Sequence, residues 1–180
     1  TLTAMSVAQL LPENLQLAAD ELALGDIDLR SRAADRDVVH SMSMVYQDPG
    51  STFNPSLKMG QQLTQVLTQH FGMAAGAAKK TMRDAFEKVR MTEPDRRLRQ
   101  YPYELSGGMR QRAMIASALA TRSKLIVADE APTALDVIVQ ADTLRELVGL
   151  NRDPGAFVMF IPHDTGVVTE PGDRVVGSCH

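Results

Sequence analysis

The sequence predicts an α/β protein with a parallel core sheet, a small antiparallel hairpin and a helical lobe. Two short apolar runs, Lys124–Ala128 and Ala156–Ile161, have the continuous hydrophobicity of buried parallel strands. Apolar residues recur at helical spacing between them, over residues 138–148, so the order is strand, helix, strand. Alternating side chains over Met42–Tyr46 predict a further strand that ends before Gln47. Ligands of such sheets bind at the carboxyl ends of the strands, so the residues that follow these strands are candidates for a site.

Length and composition limit the classes of protein that fit. The 180 residues make about one domain, and 44% hydrophobic with 23% charged residues is close to the globular average. The longest unbroken apolar run, residues 156–161, is far below the roughly 18–20 residues that cross a bilayer. A net charge of −3 gives no global positive field for nucleic acid. The one cysteine, Cys179, excludes a disulfide framework and a cysteine-based metal site, and a reducing compartment is expected.

Helical spacing predicts three further helices, and turn residues predict the hairpin. Residues 1–11 form a helix that Pro12 ends, and Gly25-Asp26 separates two short alternating segments, which is typical of a hairpin. Two amphipathic helices then form the lobe. Their apolar faces are predicted to contain Met59, Leu63, Val66, Leu67 and His70 in the first helix, and Met82, Phe86 and Val89 in the second.

Basic residues are concentrated in and after the second lobe helix. Between Lys79 and Arg112 the chain has ten basic and five acidic side chains. Such an excess fits a docking or phosphate-facing surface, and it fits an ordinary exposed helical face equally well.

The segment Leu105–Arg112 begins another helix, with Ser106 as its N-cap. Gly107 and Gly108 at the helix start carry no side chains that would block a ligand. The exposed amide N–H groups and the positive end of the helix dipole then suit a phosphate. A Ser-Gly-Gly start is also a common simple cap, so this motif alone does not establish a phosphate site.

Adjacent carboxylates follow the predicted strand at Lys124–Ala128. Asp129 could hold Mg²⁺, directly or through water, and Glu130 could orient an attacking water as a general base. His163, which follows the next strand, could donate a hydrogen bond to a terminal phosphate. Taken singly, the carboxylates are equally a polar strand end and the histidine a structural residue.

Together these residues form an ordered set that resembles the ABC-transporter ATPase subunits. The set consists of Tyr46–Pro49, Leu105–Arg112, Leu125–Glu130, Ala134–Asp136 and Pro162–Asp164. The resemblance implies the P-loop NTPase-like fold of an ABC ATPase domain. Gln47-Asp48-Pro49 followed by Asn54-Pro55, with Met109 after Ser-Gly-Gly, is similar to the oligopeptide, dipeptide and nickel importers. A subunit that couples ATP hydrolysis to the import of peptides or similar small solutes is therefore expected.

The resemblance implies a role for each candidate site residue. Gln47 would be the Q-loop residue that touches the metal or the attacking water and relays the nucleotide state to the membrane subunits, and Glu130 would be the catalytic base. Asp129 would be the Walker B ligand of Mg²⁺. The nucleotide-binding signature would be Ser106, Gly107, Gly108 and Met109, facing ATP held by the opposite subunit, with Asp136 as the D-loop aspartate and His163 as the switch histidine.

The phosphate-binding sequence G-x-x-x-x-G-K-[ST] does not occur in the 180 residues. The segment Gly76–Thr81 lacks a glycine before the lysine and is better interpreted as the start of an alanine-rich helix. Thr1–Thr3 resembles the helix that normally follows the phosphate loop, so we expect the chain to begin just after it. The fragment alone is then expected to bind ATP weakly.

The resemblance also implies an organisation and partners. Residues 1–180 would be one partial ABC ATPase domain, with a helical lobe at about 57–112 and the Walker B half of the core at 113–180. Partners would be integral-membrane permease subunits, a second ATPase subunit of the same or a paralogous chain and, indirectly, a solute-binding protein, but no nucleic acid. The expected location is peripheral, at the cytoplasmic face of the inner membrane. A truncated non-catalytic remnant and a soluble ABC ATPase without a transport role are the alternatives.

Overall fold

A computed structural model describes residues 2–7, 18–29, 40–46, 52–129 and 157–161. In chain order the elements are α1 (Leu2–Val7), β1 (Ala23–Leu24), β2 (Ile27–Asp28), β3 (Met42–Val45), α2 (Met59–Gln69), α3 (Ala75–Lys88), α4 (Pro94–Arg99), a 3₁₀ turn (Pro102–Glu104), α5 (Gly107–Ala120), β4 (Leu125–Asp129) and β5 (Phe157–Ile161).

The core is a parallel sheet in which β4 lies between β3 and β5. In register, Val45 pairs with Ala128, and Asp129 pairs with Ile161. The carboxyl ends of the three strands therefore lie side by side. Residues 125–128 of the central strand are all buried, because β4 has a neighbour on each side and apolar packing on its faces. The predicted parallel strands are confirmed.

The predicted hairpin is formed by β1 and β2, which pair antiparallel around Gly25. Gly25 has a φ of +61°, a left-handed conformation that favours glycine. Leu29, at the end of the hairpin, is 2% exposed and packs in one cluster with Met42, Leu125 and Val127. The hairpin is thereby fixed to the sheet.

The helical lobe is built from α2, α3 and α4, which pack against one another. Its core contains side chains with no exposed surface, including Met59, Met82 and Phe86. Gly60 lies where α2 crosses the end of α4, and a Cβ atom there would stand 2.7 Å from the backbone oxygen of Leu98. A glycine at this position allows the two helices to approach closely.

Helix α5 connects the lobe to the sheet, since it packs against both α3 and β3. Seven of its last eight residues are buried, and only Ser117 among them is partly exposed. A helical segment that is buried on nearly every side, as residues 113–120 are, belongs in a core. Four of the residues from 113 to 120 are alanines, and their small size lets neighbouring elements approach α5 closely.

The structure corrects several details of the sequence prediction. In α2, Met59, Leu63 and Leu67 are buried as predicted, but Val66 is 37% exposed and His70 is also exposed. The lobe covers a narrower stripe of this helix than the apolar spacing indicated. Strand β5 was predicted to be buried, yet Phe157 at its start is 68% exposed. Helix α4 and the 3₁₀ turn were not predicted.

The other predicted elements fall partly outside the described residues. The first helix is confirmed over Leu2–Val7, and its predicted continuation to residue 11 lies outside. The predicted helix over residues 138–148 lies outside as well. Within the described ranges, no helix has the length and apolar character needed to cross a membrane.

Candidate functional site

The start of α5 has the geometry that the sequence predicted. Ser106 is extended (φ −63°, ψ 162°), and its hydroxyl oxygen accepts the backbone N–H of Met109 at 3.3 Å. The N–H of Arg110 donates to the Ser106 carbonyl at 3.0 Å, which begins the regular helical bonding. The N-cap prediction for Ser106 is confirmed.

Gly107 and Gly108 leave the first turn of α5 open. Both are exposed, and a Cβ atom built on either would meet no described atom within 4 Å. Their N–H groups have no acceptor among the residues that the structure describes. Glycine is a poor helix former and costs up to about 1 kcal/mol relative to alanine. Packing within the described chain does not require the two glycines, and their effect is to leave two N–H donors unobstructed by side chains.

The charge around this helix start is positive. Most helices gain stability from acidic side chains in their first turn, but α5 has none there. Arg110 and Arg112 lie within its first six residues instead, and the Nε atom of Arg110 is buried without a hydrogen-bond partner in the described part of the chain. Arg112 donates to the carbonyl of Arg90 at 3.1 Å and so links α5 to the end of α3. An anion at this helix end would offset the accumulated positive charge.

The segment before Ser106 fixes the direction in which α5 begins. Leu105 is only 4% exposed, and its N–H donates to the carbonyl of Pro102 at 3.2 Å. The carboxylate of Glu104 accepts the N–H of Tyr101 at 2.6 Å, which closes the 3₁₀ turn. The rings of Tyr101 and Tyr103 stack with centroids 5.4 Å apart. Sequence reasoning missed this support, and only Pro102 followed by Glu104 signalled a turn.

The sheet brings together the strand ends that lead to the other candidate residues. Asp129 is the last residue of β4, Gln47 follows β3 by two positions, and His163 follows β5 by two positions. Gln47, Glu130, Asp136 and His163 themselves lie outside the described residues. The backbone therefore agrees with convergence at the carboxyl edge of the sheet, while the roles of these side chains stay predictions.

Comparison with known proteins identifies the class. The family model described as "ABC transporter" matches residues 5–134, and the chain therefore belongs to the ABC transporter family. The match includes Gln47, the Ser106–Met109 turn, Asp129 and Glu130.

Among curated relatives, the oligopeptide transport ATP-binding protein OppD of Bacillus subtilis is 45% identical over 134 residues, which are 74% of this chain and 37% of OppD. The dipeptide transport protein DppD of the same organism is 41% identical over 157 residues, 87% of this chain and 45% of DppD. The probable peptide ABC transporter ATP-binding protein y4tR of Sinorhizobium fredii is 38% identical over 185 residues, a match that covers 98% of this chain and 54% of y4tR. The chain thus spans about half the length, or less, of these relatives.

Solved structures confirm the fold. The CbiO1 protein of Clostridium perfringens, part of an ABC transporter complex, has a TM-score of 0.69 at 18% identity, covering 93% of this chain and 63% of that chain. The dimeric ATP-binding cassette MJ0796, solved in a post-hydrolysis state with ADP and Pi, has a TM-score of 0.66 at 23% identity. The match covers 92% of this chain and 70% of MJ0796. The predicted P-loop NTPase-like ABC ATPase fold is therefore correct.

Proposed function

We propose that this chain is part of an ATP-hydrolysing subunit that powers the import of peptides or similar small solutes. The observation that carries the proposal is the open start of α5, where two glycines expose N–H donors at a positively charged helix end. The relatives that are named for oligopeptide and dipeptide transport support the choice of solute class.

Phosphates fit the α5 start because it offers donors and no obstructing side chain. In the proposed mechanism Ser106, Gly107, Gly108 and Met109 contact the terminal phosphate of an ATP bound mainly by a second subunit. The N–H groups stabilise the charge that develops as the phosphoryl group leaves. The positive end of α5 strengthens the same contact.

The residues after the strands supply the rest of the proposed chemistry. Asp129 would hold Mg²⁺, which neutralises phosphate charge when it is bound. Glu130 accepts a proton from the attacking water, Gln47 orients that water, and His163 donates to the terminal phosphate. Asp136 would act across the interface between the two subunits.

We propose that residues 57–112 form the lobe that docks on permease subunits and that residues 113–180 belong to the core. The mutual packing of α2, α3 and α4 supports this division, and α5 crosses the boundary. The second ATPase subunit is a copy of this chain or a paralogue, and a solute-binding protein acts indirectly through the permease. The proposed location is peripheral, at the cytoplasmic face of the inner membrane.

The sharpest test of the phosphate contact is Gly108→Ala in the full-length protein. Gly108 and Gly76 are each the second residue of a helix and each have open space around the missing Cβ, so Gly76→Ala is a matched control. Both variants should keep or slightly raise the midpoint of thermal unfolding. ATP turnover should fall by about 10² or more in Gly108→Ala, because the added methyl group would keep the phosphate away from N–H donors that contribute about 10²–10³ in rate, and it should stay unchanged in Gly76→Ala. Equal turnover in the two variants would contradict the assignment.

The base is tested by Glu130→Gln in the same background, with the exposed Glu87→Gln on α3 as the control. Loss of ATP turnover by about 10²–10⁴ in the first variant alone is expected for a general base. A full-length protein without ATP-dependent turnover would instead identify a non-catalytic remnant.

The transport role is tested by Gln47→Ala with the permease present. We expect transport to fall far more than ATP affinity, because Gln47 is proposed to relay the nucleotide state to the membrane subunits. A full-length protein that hydrolyses ATP but does not associate with a permease would instead favour a soluble ABC ATPase.

A further inference from the structure

Three hydroxyl groups from three parts of the chain meet where α5 joins the sheet. Ser43 lies in β3, Thr121 directly follows α5, and Ser123 precedes β4. Their side-chain oxygens are 2.8 Å apart for Ser43 and Thr121, 2.7 Å for Ser43 and Ser123, and 2.9 Å for Thr121 and Ser123. We call these three residues the hydroxyl cluster. Ser123 is 3% exposed, and the other two are partly buried.

The elements joined by the hydroxyl cluster are the ones that lead to the proposed site. Helix α5 begins at the Gly107-Gly108 turn, β3 leads to Gln47, and β4 ends at Asp129. The hydroxyl cluster lies at the opposite end of each of them. It touches no candidate site residue, so any effect on the reaction acts through the orientation of α5 against the sheet.

The hydroxyl cluster contains fewer protons than contacts. Thr121 also lies 2.8 Å from the carbonyl oxygen of Ala118, which makes four hydrogen-bond contacts for three hydroxyl protons. Thr121 therefore donates either to Ala118, closing the last turn of α5, or to a serine, holding the helix to the sheet. Each pattern uses all three protons and leaves one of the four contacts without a hydrogen bond, so the cluster can change between the two patterns with no change in the number of hydrogen bonds.

The length of α5 turns small rotations at this point into large displacements at the site. Its 14 residues extend about 21 Å. A rotation of about 3° at the C-terminus moves the N-terminal turn by about 1 Å, and a 1 Å misplacement can cost roughly 10² in rate. Side-chain hydrogen bonds at the C-terminus of α5 therefore have a disproportionate effect on the two glycine N–H groups.

We propose that Ser43, Thr121 and Ser123 are positioning residues that set the angle of α5 against the sheet and so aim the Gly107-Gly108 turn at the nucleotide. The proposal rests on the proposed function for its consequence in catalysis. Its geometric part, that the hydroxyl cluster limits the angular freedom of α5, stands independently of nucleotide.

The experiment compares Thr121→Val with Thr121→Ser in the full-length protein. Valine has nearly the same shape without the hydroxyl, and serine restores the hydroxyl. Thr64→Val is the control, because the partly buried Thr64 hydroxyl donates only within α2, to the carbonyls of Gly60 at 2.6 Å and Gln61 at 3.4 Å. We expect kcat to fall about tenfold in Thr121→Val, which is less than the roughly 10² of a full 1 Å displacement. The Kd for ADP should stay within about twofold. In Thr121→Ser, kcat should recover.

A second measurement does not depend on ATP turnover. Spin labels at Glu87→Cys on α3 and at Lys124→Cys, just before β4, report the distance between the sheet and α3, which packs against α5. Cys179 and any other cysteine of the full-length protein are replaced by serine. Both labelled positions are exposed. The distance distribution should broaden in Thr121→Val and keep its width in Thr121→Ser and Thr64→Val.

The proposal would be overturned if Thr121→Val only lowered the unfolding midpoint and changed neither kcat nor the width of the spin-label distance distribution. If Thr121→Val does not fold, Ser43→Ala takes its place, because it leaves the bond from Thr121 to Ala118 intact. A wild-type protein without ATP turnover would refute the proposed function, while the spin-label distances would still decide whether the hydroxyl cluster fixes α5.

Discussion

Gly60→Ala is expected to destabilise the protein although alanine is the better helix former. The added Cβ would stand 2.7 Å from the Leu98 oxygen, 3.2 Å from its Cβ and 3.4 Å from its carbonyl carbon. The nearest obstacle is backbone, so relief requires α2 and α4 to move apart by several tenths of an ångström. Overpacking of this kind costs about 1–3 kcal/mol, and the helix propensity of alanine returns at most about 1 kcal/mol.

The net expectation is a loss of about 1–2 kcal/mol, or a midpoint lowered by roughly 2–8 °C for a domain of this size. The change is measured by thermal unfolding followed by far-ultraviolet circular dichroism and by urea titration. Gly76→Ala is the control, because Gly76 is also the second residue of its helix and has no atom near the missing Cβ. It should raise stability by up to about 1 kcal/mol. If the two variants shift in the same direction, the close packing of α2 on α4 is not what requires Gly60.

Three further substitutions test other parts of the structure. Phe86→Ala, at a side chain with no exposed surface, should lower the free energy of unfolding by about 3–5 kcal/mol in urea titration, and a loss under 1 kcal/mol would mean that the lobe core is not formed as described. Ser106→Ala removes the cap on the Met109 N–H and should cost about 1 kcal/mol in the same assay, an effect that Ser106→Asn should largely restore. Arg122→Gly should stabilise the protein by about 0.5–1 kcal/mol and so raise its thermal midpoint, because Arg122 follows α5 with a left-handed φ of +53°. A lowered midpoint would show that the Arg122 side chain contributes more to stability than its backbone strain costs.

The sequence predicted the elements that are encoded by a short local pattern, such as an apolar run, a turn pair or a helix cap. The continuous apolar run in β4 predicted a strand buried on both faces, and the Gly25-Asp26 pair predicted the hairpin. The start of α5 was predictable to the residue, because an N-cap serine and two glycines are local signals. These features need no knowledge of distant contacts.

Features that depend on tertiary packing were not predictable in the same way. Val66 continues the apolar spacing of α2, but it lies outside the stripe of the helix that the lobe covers and is 37% exposed. Helix α4 is only six residues long, and a short basic segment gives too few apolar positions to define a period. Phe157 opens an apolar run and is nevertheless exposed. No spacing rule places Ser43 beside Thr121, since 78 residues separate them.

The burial of the second half of α5 has a consequence for genetic studies of this protein. A surface helix tolerates substitutions with a period of 3.6 residues, but Ala113–Ala120 offers almost no tolerant position because seven of the eight side chains are enclosed. Larger side chains in place of its alanines would force neighbouring elements apart. A mutational scan would therefore record a nearly continuous intolerant stretch over residues 113–120, a few residues after the Ser106–Met109 turn. Abundance measurements beside the functional readout would distinguish this folding requirement from an extension of the proposed nucleotide site.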